Sequence, residues 1–177
     1  MSTPVSKLEG KVAEMRRLFD ESFGLALPEQ VAAPEPMLAI TLEGERFALR
    51  VGEIQGIAMS QEKIVPVPSR VPELLGLTGI RGVVVPVFSL ARLLGFDSER
   101  GQALWLVFCG DRQSPIALAF ERMERQFAST EIFAREEAPG HRFVCGTVRE
   151  GETLRGVISI PSLVVYIKAR GAGKVRK

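Results

Sequence analysis

Hydrophobic positions change their spacing once along this chain. Over residues 6 to about 23, Leu8, Val12, Met15, Phe19 and Phe23 recur at steps of three and four, which places them on one face of a helix. Lys7, Glu9, Lys11, Glu14, Arg16 and Arg17 take most of the remaining surface. The next stretch, GLALPEQVAAPEP at residues 24–36, holds three prolines and no period, so it reads as a linker. The helical stripe must therefore fold back on the rest of the chain, pair with itself or bind a partner.

From Met37 onward the period becomes two. LAITLEGERFALRV, residues 38–51, alternates apolar and polar positions around the turn-like EGER, and predicts a hairpin. VVVPVFS, residues 83–89, predicts a strand whose Pro86 cannot donate to a ladder, which places it at an edge or a bulge. SLARLLGF predicts one or two turns of helix stopped by Gly95. ALWLVFCGDRQSPIALAF, residues 103–120, predicts a second hairpin, and TLRGVISI, residues 153–160, a further strand. Many short strands of this kind suggest barrels or a sandwich.

Sliding the chain on itself by 70 residues exposes a repeat. Gly76 falls on Gly146, Val87 on Val157, Ser89 on Ser159 and Leu93 on Leu163. Upstream, TLEGERFAL aligns with VFCGDRQSPIAL, with three extra residues near the second turn. The pattern predicts two similar β-units. Only the first carries the Gly-Ile-Arg-Gly loop, because Arg81 falls on Gly151 and Gly82 on Glu152.

Composition narrows the function classes. A chain of 177 residues, 46% hydrophobic and 25% charged, has the material for one domain or two small joined ones. Lys and Arg number 23 against 21 acids, a net charge of +2, and part of that excess lies in the last ten residues, KARGAGKVRK. The body is thus close to neutral and gives nucleic acid binding no electrostatic support. The first ten residues hold no apolar signal-peptide core, and the apolar runs fall short of the roughly 20 residues of a membrane helix. The two cysteines, Cys109 and Cys145, lack CxxC spacing and sit in strand-like apolar settings, so both are expected to be buried free thiols. A cytoplasmic protein is expected.

Catalytic patterns are weak. Gly76, Gly79 and Gly82 suggest a phosphate loop, but such loops need a helix after the glycines, and here a β-branched strand follows. The glycines are better read as positions of left-handed φ or close approach. The one histidine, His141, stands in a loop without a clustered Cys or carboxylate partner, so no metal site is expected. Glu136 and Glu137 read as a solvated pair, and no GxSxG nucleophile motif occurs. The expectation is a protein that is not an enzyme and holds no cofactor or metal. A small-molecule or nucleotide-binding β-barrel is a further reading from another class. Arg81, on a glycine-flanked turn beside Ile80, offers a rigid five-donor fork. It suits either a carboxylate or carbonyl cluster on a partner or an internal salt bridge to the neighbouring β-unit.

VPELLGLTGIRGVVVPVFSLARLLGF, residues 71–96, resembles the signature of the CheW family, the bacterial chemotaxis coupling proteins. In that family an Asn-Leu-Arg-Gly turn precedes a VVPV strand and an Asp-Leu-Arg helix. LAITLEGERFALRVGEIQGI is similar to the family's first hairpin, and CGTVREGETLRGVISIPSLV to its second half. The resemblance covers roughly residues 37–168. Three positions depart from the pattern: Gly79 replaces the Asn, Ile54-Gln55-Gly56-Ile57 lacks the acid of an apolar-x-Glu-apolar motif, and Ser89 replaces the Asp that opens the helix.

The resemblance implies an all-β fold of two intertwined five-stranded SH3-like barrels with short helices, to which this chain adds an N-terminal α-helix. The domains expected are the amphipathic helix and Pro/Ala linker at 1–36, the CheW-like domain at 37–168 and a basic tail at 169–177. The implied function is a non-enzymatic adaptor between the regulatory domain of a chemotaxis histidine kinase and the cytoplasmic tips of chemoreceptors, without membrane insertion. By that resemblance Arg81, with Ile80, Gly79 and Gly82, faces the receptor. Ile54, Ile57 and Met59 fall where the first barrel meets the kinase. Leu8, Val12, Met15 and Phe19 are additional to the family pattern and suit a partner of their own. The alternative is a specialised relative that has lost one of the two contacts and uses its helix for another partner.

Overall fold

The first period-two stretch folds into the hairpin that its turn predicts. In a computed structural model, which describes residues 33–60, 64–97, 104–111, 113–130, 132–134 and 141–172, β1 (Glu35–Leu42) pairs antiparallel with β2 (Glu45–Arg50). The helical stripe of residues 6–23 and the Glu136–Glu137 pair lie outside the described residues. Glu43 and Gly44 make a two-residue turn with φ of 48° and 82°, the type I′ geometry that matches strand twist. Alternation sends Leu38, Ile40 and Leu42 into the main core, while Met37 and Ala48 enter a smaller one. The hairpin is thus buried on both faces, each large side chain contributing about 1.5–3 kcal/mol.

The chain continues through a 3-10 turn (Val51–Glu53), β3 (Gly56–Met59), β4 (Leu74–Ile80), β5 (Val83–Ser89) and α1 (Leu90–Leu94). The second half supplies β6 (Trp105–Gly110), β7 (Pro115–Phe120), β8 (Arg122–Ser129), β9 (Ile132–Ala134), β10 (Val144–Glu150), β11 (Thr153–Ile158) and α2 (Ile160–Ala172). One sheet runs β8-β1-β2-β11-β10, with the three-residue β9 added at its edge; the other runs β3-β6-β7-β5-β4. Each hairpin, β1–β2 or β6–β7, is therefore completed by strands from the opposite half, four in the first sheet and three in the second. The joints are parallel, β2 with β11 and β5 with β7. This exchange intertwines the two units.

The repeat is visible bond by bond. Leu74 N donates to Val71 O and Val144 N to His141 O; Ser89 N donates to Glu73 O and Ser159 N to Phe143 O. Both β4 and β10 slip register just before their matched glycines, Gly76 and Gly146. The hairpins correct the sequence alignment. Leu49 meets Ile158 as Leu118 meets Phe88, and their antiparallel partners are Leu38 and Val107. Leu38 to Val107 and Leu49 to Leu118 are each 69 residues apart, so there are no three extra residues at the second turn. The residue types there had misaligned two ladders of equal length.

Both helices carry their own signals. Ser89 Oγ accepts from Arg92 N at 3.3 Å, and Gly95, at φ 97°, ends α1. In α2, Ser159 Oγ accepts from Ser162 N, and the Glu53 carboxylate accepts from Ile160 N at 3.0 Å, where the helix dipole favours an anion. This helix passes the boundary placed at residue 169, and Arg170 in its last turn is 2.7 Å from Glu73. Part of the expected tail therefore belongs to the domain.

Two further expectations change. β5 lies inside its sheet, between β7 and β4, so Pro86 is not on an edge strand. Its partner Leu77 spends both backbone groups on Val65, and the β7 ladder begins only at Val87, so no ladder bond is asked of the proline. Of the two cysteines, only Cys109 is buried, its thiol pushed up to about 12 mainly by burial. Cys145 is exposed, because its strand position faces outward.

Gly76 is the glycine that this packing requires. A Cβ there would run into the Val65 carbonyl, whose carbon would lie 2.7 Å away. Gly76→Ala is therefore expected to lower the unfolding free energy by roughly 2 kcal/mol, seen as a lower urea midpoint at unchanged m-value. Gly79→Ala, which meets open space at ordinary φ, is the matched control and should shift it by less than about 0.5 kcal/mol.

Candidate interaction surfaces

The arginine loop is a second type I′ hairpin. β4 and β5 pair up to Ile80↔Val83, leaving Arg81 and Gly82 as the turn, with φ of 49° and 80°. Gly82 takes this conformation without cost, but for Arg81 it costs about 1 kcal/mol. An asparagine or glycine would form the turn more easily; here the tip carries a long cationic side chain instead. That side chain is exposed, and among the described residues no group bonds its guanidinium. Among the described residues the internal salt bridge is thus not formed. Beside it, Val83 and Val84 are 50% and 66% exposed, and Ile80 is half-buried. Gly79 lies in the β4 ladder opposite Val84, so it is a strand residue, and the left-handed φ expected for it is not found.

The matching hairpin of the second unit turns at Gly151 and Glu152, between Glu150 and Thr153. Only Gly151 has left-handed φ, 58°, and the charge at the tip is reversed. The repeat therefore uses one scaffold for two tips of opposite sign.

The three residues assigned to the kinase side separate. Ile57 and Met59 point the same way from β3, 40% and 50% exposed. Leu104, half exposed, adjoins them through the Ser60 N to Leu104 O bond; in sequence it reads as one more position of the 103–120 hairpin, with nothing to mark it as exposed. β3 pairs only with β6 among the described residues, so its outer edge is open to another strand. Ile54 does not join this patch: it is half-buried and packs on the main core. Gln55, standing where the acid was expected, donates its side-chain amide to the Gly110 carbonyl.

Sequence reading missed an ionic cluster at the mouth of the first sheet. Arg155, only 4% exposed, lies 2.6 Å from Glu150 through Nε and 2.5 Å from Glu124 through Nη2. Arg125 meets the other Glu150 oxygen at 2.7 Å, and Thr41 donates to Glu124. Burial opposes ionisation of Glu150, but the bonds from Arg155 and Arg125 outweigh it and hold the carboxyl below its usual value. Glu124 is lowered by the bonds from Arg155 and Thr41. The cluster ties β8 to β10 and β11. Its one sequence signal is an arginine two residues before the buried Val157, on the inward face of the strand. His141 is packed in as well: its ring stacks on Phe96 with centroids 4.1 Å apart.

Among the described residues no group of three His, Cys, Asp or Glu side chains could hold a metal ion, and no helix is long and apolar enough to cross a membrane. The family model described as the CheW-like domain matches residues 36–166. Among solved structures, the scaffolding protein TtCheW from Thermoanaerobacter tengcongensis superposes with a TM-score of 0.65 at 16% identity, covering 72% of this chain and 90% of that one. At that identity the likeness speaks for the fold. No curated protein matches the chain in sequence.

Proposed function

Because the chain belongs to the CheW-like domain family of chemotaxis scaffold proteins, we propose that it is a non-enzymatic adaptor coupling a chemotaxis-type histidine kinase to the cytoplasmic tips of chemoreceptors. The observation that carries the receptor side is Arg81, held at left-handed φ on a hairpin tip with no bond to the described residues. A guanidinium in that setting is ready for a carboxylate or carbonyl cluster, and Ile80, Val83 and Val84 supply apolar contact around it. The kinase side is the open β3 edge with Ile57 and Met59, where a similar β-domain can dock edge to edge.

A second reading, in which the kinase contact has been lost, draws on Gln55. The acid of the family motif is absent, and the amide in its place is bonded internally to Gly110. Calorimetric titration of the full chain with the cognate kinase regulatory domain and, separately, with the receptor tip tests both readings. Binding to both supports the coupling role, and binding to the receptor alone supports the second reading. Heat from neither partner sinks both.

A further inference from the structure

At one place the two units differ by an aromatic ring. In one of them His141 stacks on Phe96, meets Phe47 edge-on at 5.6 Å, and holds Nε2 2.8 Å from a Glu45 oxygen. The repeated turn bonds Leu74 N to Val71 O and Val144 N to His141 O make Val71 the counterpart of that histidine. Phe96 likewise corresponds to Tyr166, and Phe143 to Glu73. Among the described residues, Val71, Leu74, Phe88, Leu93, Tyr166 and Ile167 wall a cavity of about 160 Å³, which Glu73 and Arg170 also line. A volume of that size takes in a benzene-sized ring, and this one is partly open to solvent, so a ligand can enter.

Glu73, which lines this cavity, has one oxygen without a partner among the described residues. A Glu73 oxygen is 2.7 Å from Arg170, but the other, Oε2, is buried and accepts no bond. A buried acceptor left in that state is costly and calls for a donor. The geometry points to a binding site for a small, flat heteroaromatic molecule with one N–H, of the indole or imidazole class. Its ring would lie beside Val71 and Tyr166, the counterparts of His141 and Phe96, and its N–H would bond Glu73 Oε2 once that carboxylate turns toward the cavity. This inference is independent of the coupling role, because it uses neither the arginine hairpin nor the β3 edge.

Titration of the isotope-labelled full chain with indole, followed by NMR, tests it. Saturable shifts are expected around Val71, Leu93 and Ile167. 1-Methylindole, which has no N–H, should bind at least about tenfold more weakly, because it leaves the acceptor unpaired. Val71→His should abolish binding by supplying a ring from the chain itself. Absence of saturable shifts, equal affinity for the two indoles, or full binding by Val71→His would each overturn the proposal. Tighter binding of N-acetyltryptophanamide than of indole would also overturn it, by assigning the slot to a partner's side chain. The comparison of the two indoles uses the unaltered chain and does not depend on the variant folding.

Discussion

Replacing Arg155 with alanine is expected to lower the unfolding free energy by about 3 kcal/mol, since removing one member of a buried ion cluster strands the others. Glu150, with a side chain only 7% exposed, would keep Arg125 but lose the partner facing the interior. The pH dependence should change with it. Glu124 and Glu150 both have folded values below their ordinary 4.5, so their contribution is complete above about pH 4.5. It is lost as the pH falls through the lowered folded values. The native chain should therefore lose stability steeply on the acid side, and Arg155→Ala should flatten that slope. Denaturant titrations between pH 3 and 7 would show both effects. The other unit provides a rescue: Val85 and Ile80 stand there at the positions of Arg155 and Glu150. The pair Arg155→Val with Glu150→Ile should recover much of the loss, because apolar packing often equals a buried ion pair in stability. A single-variant loss below about 1 kcal/mol would mean that water already satisfies the cluster.

Arg81→Glu is expected to have the opposite profile. Both residues carry a Cβ and suffer alike at φ 49°, and no internal bond is broken, so stability should stay within about 0.5 kcal/mol. Reversing the charge at a central arginine contact should weaken receptor binding by about thirtyfold or more. Binding to the kinase domain should be unaffected, because β3 and the β4–β5 hairpin stand at opposite ends of their sheet. Calorimetry with each partner and a thermal melt decide the matter. Unchanged receptor affinity would remove the hairpin from the interface, and a large drop in melting temperature would give Arg81 an internal role instead.

Residues 38–51 and 83–96 were legible because the features that shape them are local. Alternation sets which side chains face inward, Glu43-Gly44 and Arg81-Gly82 close two-residue turns, and Ser89 and Gly95 bound a helix within a few residues of each other. The offset of 70 was legible for β4, β5 and the turns before them, and failed at the hairpins, where similarity of residue type pulled the alignment out of register. Ile54 reads in sequence like Ile57, but packs inward because the 3-10 turn ahead of it changes the face it presents. The amphipathic stripe at residues 6–23 remains a sequence feature, outside the described residues.

By itself, the sequence determined the hairpins at 38–51 and 103–120, the strands at 83–89 and 153–160, the short helix after Ser89 and the existence of two related units. The family resemblance carried the expectation of intertwined barrels, but which strands exchange was decided by the tertiary structure, since the pairing of β2 with β11 and of β5 with β7 joins residues more than 25 positions apart and leaves no local trace. Tertiary structure also decided that Arg81 stands exposed, that Arg155 is paired inside one unit where Val85 lies in the other, and that a cavity opens beside Val71. A period of two states which face a side chain takes; what stands opposite that face is set by the rest of the chain.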